Sequence, residues 1–439
     1  MSAIAQALPN QCLGLNRSLA RRQECYIEIS WLFEESSVGS NSHFDLRSYM
    51  YKKLSAVGCS HALSSCPCDS QSLVVQDGQW KVPSRRQVLK TAALAWGSSA
   101  GAVAGVGALA ALGSQESRAQ TPPMPKGPLV DTHHHFYPPE YYKAWMDYED
   151  QRKIPHFPQV ETWSVASAFK DMDQAGVSKA ILSLASTPGV WFDLPVPEIN
   201  KMVKIVNDYG ARLVKEHPAR LGLFAALTML DVPSTLKEID YAFDVLGADG
   251  VGIQTNYGDK WPGHPDFAPI FAELNRRKAV VYFHPLAAAC CGRLAVGTFP
   301  AVIEVPHDTT RAVLNLLLSG SFMKYREIKW IFSHAGGTIP MLAGRINFFH
   351  GSAKNMAQIA PNGIEAELKR LYYDTANATH PASMAALMKL VPSTQIVYGS
   401  DYPYVPMDTQ AQALSQLSLS ADVVEQIRHT NAERLLGKT

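Results

Sequence analysis

From about residue 129 onward, short apolar runs rich in β-branched and aromatic residues recur along the chain, and segments of helical spacing lie between them. The runs cover 129–136, 179–184, 221–227, 250–254, 280–284, 330–334, 371–375 and 396–401. Each has the length of a buried strand. The spacing predicts helices over 165–175, stopped by Gly176, and over 198–216, 234–246 and 267–277. A further helix is expected over 309–319 with Asp308 as its N-cap, and another after Gly336-Gly337. Segments 410–417, 422–429 and 431–436 close the pattern. Eight strands alternating with helices over about 300 residues predict an α/β fold, a (β/α)8 TIM-like barrel over 128–439. Two stretches without this pattern, 137–160 and 286–306, read as long loops. The first, carrying Tyr141, Tyr142 and Trp145, is either a substrate wall or a plain surface cover.

Residues 1–83 carry no sustained period and are expected to be disordered or an over-extended gene model. Ser84-Arg85-Arg86-Gln87-Val88-Leu89-Lys90 then leads into a weakly apolar Ala- and Gly-rich run over 91–113, followed by Ser117-Arg118-Ala119. Basic region, apolar region and small-residue cleavage site, in that order over 84–119, resemble a twin-arginine export signal. A membrane anchor is the alternative, because the run is long enough to span a bilayer. The signal reading implies an exported or periplasmic protein with no anchor after cleavage, and a cytoplasmic one if the signal does not function. It also places the true start near 74–83, which N-terminal sequencing of the native product tests. Residues 120–127 read as a Pro-rich linker.

Composition narrows the function. Lys and Arg total 40 against 39 Asp and Glu, a net charge of +1 that gives no reason to expect nucleic acid or an anionic membrane as partner. Of the 7 cysteines, only Cys290 and Cys291 fall in the barrel, and adjacent cysteines rarely pair. Cys66-Pro67-Cys68 is too tight for a zinc ribbon and has no second pair. No Gly-rich nucleotide fingerprint or P-loop stands at a strand–helix junction, so no redox nucleotide is expected.

Four strand ends carry the chemistry. In Leu129-Val130-Asp131-Thr132-His133-His134-His135-Phe136, alternation puts His133 and His135 on one face and His134 on the other. Two imidazoles on one face can hold zinc or a similar ion, and the octapeptide alone fits a histidine-rich turn equally well. Later strands end in His284, in His334-Ala335-Gly336-Gly337 and in Gly399-Ser400-Asp401-Tyr402-Pro403. The C-terminal ends of barrel strands are where such folds place their active sites. The remaining histidines lie away from strand ends and read as structural or solvated.

This order of motifs resembles the amidohydrolase superfamily, and within it the branch of aminocarboxymuconate-semialdehyde decarboxylase and the aromatic-acid decarboxylases, nearest to the 6-methylsalicylate type. The resemblance runs from about residue 128 to the end. It implies one divalent metal ion, most simply zinc, on His133, His135, His284 and Asp401. Binuclear members carry a carboxylated lysine at the end of strand four, where this chain has Gln254, with Lys260 further on; that departure argues for one metal. By residue type His334 could be a ligand, but the branch uses it unligated for acid–base work, with Asp401 as its catalytic partner. Arg345, a surface arginine by itself, would reach a neighbouring subunit's site and bind a carboxylate, which implies a homodimer or higher homo-oligomer. Trp191, Phe192, Asn256, Tyr257 and Tyr402 complete the expected substrate-binding set. Asp374 is a candidate partner behind the ligands or a helix cap. The implied reaction is non-oxidative decarboxylation of an aromatic or unsaturated carboxylic acid, a salicylate-type acid first. The alternative is hydrolysis of a lactone or amide by metal-bound hydroxide, which would need an oxyanion donor beside the metal. A metal-free binding protein would make the full ligand set superfluous.

Overall fold

A computed structural model describes residues 127–154, 156–185, 194–294 and 300–437, together with two short strands, Val75–Gln76 and Gln79–Trp80, paired antiparallel. The export-signal reading, nearly all of the linker, and Trp191 and Phe192 lie outside the described residues. The chain divides into units of Met1–Gln115 and Glu116–Thr439, and the second unit carries the barrel.

Its eight strands are β1 (Val130–His135), β2 (Lys179–Ser183), β3 (Leu221–Ala226), β4 (Gly250–Gln254), β5 (Val280–His284), β6 (Lys329–Phe332), β7 (Tyr372–Asp374) and β8 (Ile396–Val397). They pair in sequence order, every pair parallel. The ring closes where the chain beyond β8 meets β1. Thr132 N–H donates to Tyr398 O at 3.0 Å, Asp401 N–H to His133 O at 3.0 Å and His135 N–H to Tyr402 O at 2.9 Å. The barrel interior is a packed layer of Val130, Ile181, Phe224, Val280, Tyr282, Ile331 and Val397. Alternate residues of the same strands face outward into the larger core beneath the helices. Burying such large apolar side chains contributes roughly 1.5–3 kcal/mol apiece.

The helices follow from local chemistry. α1 spans Pro139–Arg152, α2 Val165–Ala175, α3 Val196–Glu216, α4 Val232–Asp240, α5 Ala268–Arg276, α6 Pro300–Leu318, α7 Ile339–His350, α8 Pro381–Leu390 and α9 Met407–Gln416. Ser164 caps α2 in a reciprocal box with Ser167, and Gly176 ends it at φ 72°. α4 begins two residues before the expected Ser234, because Asp231 is its N-cap and Pro233 sits in the first turn, where no N–H is needed.

Two expected loops are largely helical. Within 137–160, α1 buries Tyr141, Trp145, Met146 and Glu149, a helical stripe that the prolines at its entry had masked. Within 286–306, α6 starts at Pro300 and runs through Pro306. Asp308 is therefore not an N-cap. It lies inside α6, wholly buried, and accepts from Thr255 Oγ1 at 2.6 Å, Asn256 Nδ2 at 2.7 Å and Trp261 Nε1 at 3.2 Å. Gly336 and Gly337 let neighbouring elements approach closely. A Cβ on Gly336 would stand 2.6 Å from the Tyr373 ring, and one on Gly337 would collide with Pro306 O. Among the described residues, no helix is long and apolar enough to cross a membrane.

Candidate active site

β1, β5 and the turn after β8 bring His133, His135, His284 and Asp401 together at one mouth of the barrel. One ligand-type atom from each lies within 4.8 Å of all the others. All four are buried. The imidazoles stand edge to face, with ring centres 4.6–4.8 Å apart. Each turns Nδ1 toward a protein acceptor: His133 to Asp374 Oδ2 at 2.8 Å, His135 to Ser183 O at 3.3 Å and His284 to Pro285 O at 3.2 Å. That arrangement orients the rings and turns each Nε2 toward the centre. His284 Nε2 is buried with no hydrogen-bond partner among the described residues. Three imidazoles and a carboxylate, so oriented, fit a single divalent metal ion.

The electrostatics agree. Burial drives His284 well below its ordinary value, and the nearby His135 and His133 add to the effect against the pull of the Asp401 carboxylate, 3.9 Å from Nε2. Burial likewise lowers His135, against its bond to Asp401. Burial alone would lower His133, but the carboxylates of Asp374 and Asp401 outweigh it and push it up to about 10. Burial would raise Asp401, yet the His133 charge and the three imidazole contacts hold it well below the usual carboxylate range.

His334 stands at the rim. Its Nε2 lies 3.4 Å from Asp401 Oδ2, while Asp401 Oδ1 faces His133 at 3.1 Å and His135 at 3.2 Å. Nδ1 of His334 has no hydrogen-bond partner among the described residues. Both His334 (φ 54°) and Asp401 (φ 64°) hold left-handed backbone, which costs energy in a non-glycine residue. The surroundings over-determine it: His334 N–H donates to Asp374 Oδ1 at 2.8 Å, and Asp401 N–H to His133 O.

Asp374 is no helix cap. It takes the His133 imidazole and the His334 and Ala376 amides, binding β7 to both functional strands. His134 faces the other way, bonded to Asp131 at 3.2 Å and stacked on Tyr402. The expectation for Tyr402 is thereby corrected: its ring backs β1 away from the ligands. Tyr404, two residues on, takes the site-facing place, its ring 5.7 Å from His135 and 5.0 Å from Phe157. Asn256 spends its amide hydrogens on Leu286 O and Asp308, and the Tyr257 hydroxyl accepts from Gln254 N–H at 2.9 Å. Both hold the β4 loop in place. Arg345 is exposed on α7, its guanidinium carbon 4.9 Å from the Phe349 ring centre, and among the described residues it touches none of the ligand cluster.

Three supports of the site were not expected from the sequence. Asn377 donates to Asp401 Oδ2 at 2.5 Å. Asp131 accepts from Ser400 Oγ at 2.6 Å and from the His133 N–H at 3.0 Å, bolting β1 to the Asp401 turn. The third is Tyr404. Asp131 sits two residues before His133, and that proximity was the available signal. Asn377 and Tyr404 carried none.

A family model described as Amidohydrolase matches residues 130–438. The chain is 35% identical over 293 residues to decarboxylase yanB of Aspergillus niger, covering 64% of this chain and 78% of that one. It is 32% identical over 289 residues to 6-methylsalicylic acid decarboxylase of Penicillium expansum, covering 64% and 86%. The crystal structure of a dihydroxybenzoic acid decarboxylase from a Polaromonas species, with bound manganese and the inhibitor 2-nitroresorcinol, superposes with a TM-score of 0.62 at 20% identity, covering 71% of this chain and 97% of that one.

Proposed function

The chain belongs to the amidohydrolase family, and from that premise we propose that it is a metal-dependent carboxy-lyase that decarboxylates an aromatic acid of the salicylate type without a redox cofactor. The carrying observation is the division of Asp401. One oxygen faces the three imidazoles, and the other faces His334, which stays outside the ligand cluster with a free nitrogen. That geometry serves a reaction needing both a chelated substrate and a separate proton donor.

When bound, the metal supplies Lewis-acid charge for a carboxylate and its neighbouring hydroxyl. His133, His135 and His284 would hold it through Nε2, each oriented by its Nδ1 acceptor, together with Asp401. His334 holds a proton beside Asp401 and delivers it to the ring carbon that bears the carboxylate. Protonation comes first, so the C–C electron pair returns to the ring as CO2 departs and no bare carbanion forms. The acid's own proton balances the one delivered. Tyr404 and Phe157 wall the mouth and keep the ring out of water.

Zinc is the ion proposed, because three imidazoles suit it; the Polaromonas relative holds manganese, and elemental analysis decides between them. A homodimer is proposed from α7. Met341, Phe348 and Phe349 are 74%, 79% and 60% exposed and share a helix face with Arg345, an apolar patch typical of an interface. Export rests on the sequence of 84–119 alone, and fusion of that segment to a reporter tests it. The enzyme assay is CO2 release by metal-loaded protein from a panel of hydroxybenzoates. Release from a salicylate is expected; lactone hydrolysis with no CO2 from any acid would replace this reading with the hydrolase one.

A further inference from the structure

The ligands come from β1, β5 and the β8 turn, so the arc of β2, β3 and β4 contributes none. It is nonetheless polar. Ser183 is the register partner of His135, and Gln254 that of His284, so both side chains stand on the ligand-bearing interior face. Ser183 is 1% and Gln254 8% exposed. Among the described residues Ser183 Oγ and Gln254 Oε1 have no hydrogen-bond partner, a costly condition for buried polar atoms. Tyr257 accepts the Gln254 N–H and anchors that residue's backbone. Two small residues keep the arc open. Ala226 ends β3, and Gly252 is partly accessible although Val251 and Ile253 on either side are buried. A Cβ on Gly252 would meet only ordinary contacts, 3.6 Å from Phe224 O and 3.7 Å from Ser183 Cβ, so crowding does not demand glycine there. Its effect is to leave room.

We propose that Gln254 and Ser183 form a subsite that reads a second ring hydroxyl of the aromatic acid, beside the chelated edge, and discriminates against a methyl group at that position. This rests on the decarboxylase reading and goes beyond it by assigning specificity. A carboxamide oxygen only accepts, so its partner must donate; a serine hydroxyl can donate in return. A phenolic O–H satisfies both, giving its proton to Gln254 Oε1 and accepting from Ser183 Oγ. A methyl leaves both buried atoms unpaired, and sites built for a hydroxyl reject analogues that lack it. Because the arc lies level with His135 and His284, the hydroxyl must flank the chelating pair, at ring position 3 or 6.

The test compares 2,3-dihydroxybenzoate with 3-methylsalicylate, and 2,6-dihydroxybenzoate with 6-methylsalicylate. It measures kcat/KM for CO2 release and calorimetric affinity on the metal-loaded protein. In one pair, the hydroxyl acid is expected to be preferred roughly tenfold or more, and Gln254→Leu to abolish that preference while the metal content stays the same. If Gln254→Leu does not load metal, Ser183→Ala decides by the same ratio. Preference for the methyl acid in both pairs, or an unchanged ratio in a metal-loaded variant, overturns the subsite. If no acid releases CO2, the decarboxylase reading falls, and the binding preference still decides the subsite.

Discussion

Asp374 shows how much of the site rests on residues that would touch neither metal nor substrate. Its carboxylate turns the His133 ring and carries the His334 amide. Asp374→Asn is expected to weaken metal affinity about 10- to 100-fold, read by chelator competition. His334→Asn should keep one metal per chain and lose about 100-fold or more in turnover. Loss of metal instead would make His334 a ligand. Proton release follows from the shifted groups. In the metal-free protein His133, held up to about 10, carries a proton at neutral pH. His135 and His284 are lowered and already neutral, and Asp401 is lowered and already ionised. Metal loading near neutral pH should therefore release about one proton per chain, measurable by calorimetry in buffers of different ionisation enthalpy. Release of two or more would mean that a second histidine starts protonated.

The strands were legible because each is a short apolar run, and their observed bounds fall within two residues of those read from the sequence at most ends. α6 was misjudged because Pro306 resembles a stop. In the structure Pro306 O accepts from Thr310 Oγ1 at 2.9 Å, and Gly337 packs directly against that carbonyl. A contact between residues 31 apart in the chain, Pro306 and Gly337, is invisible to any local window. The same helix delivers Asp308 to the loop after β4. Asp308→Ala strands three buried or half-buried donors and should lower stability by about 3 kcal/mol, seen as a shift in the denaturation midpoint. A change under about 0.5 kcal/mol would show the network to be dispensable.

At the scale of the whole molecule, the exposed face of α7 is the feature that a single chain leaves unexplained. Phe348→Asp should shift the protein to a slower-sedimenting, smaller species if that face joins two copies. Arg345→Ala should then raise KM for the acid while leaving metal content intact. A wild type that is monomeric and fully active when dilute would remove both ideas.

By itself the sequence determined the alternation of strands and helices, and with it the barrel. It also determined which residues stand at strand ends: His133, His135, His284, His334 and Asp401. Periodicity is a property of neighbouring residues, and a barrel turns strand-end position into convergence at one mouth. The tertiary structure alone decided that Tyr404 and not Tyr402 faces the ligands, that Asn377 and Asp131 hold the Asp401 turn, and that Ser183 and Gln254 stand level with His135 and His284. Those facts depend on side-chain direction and on contacts between distant strands. Neither leaves a trace in local spacing, because hydrogen bonding and packing act through space and not along the chain.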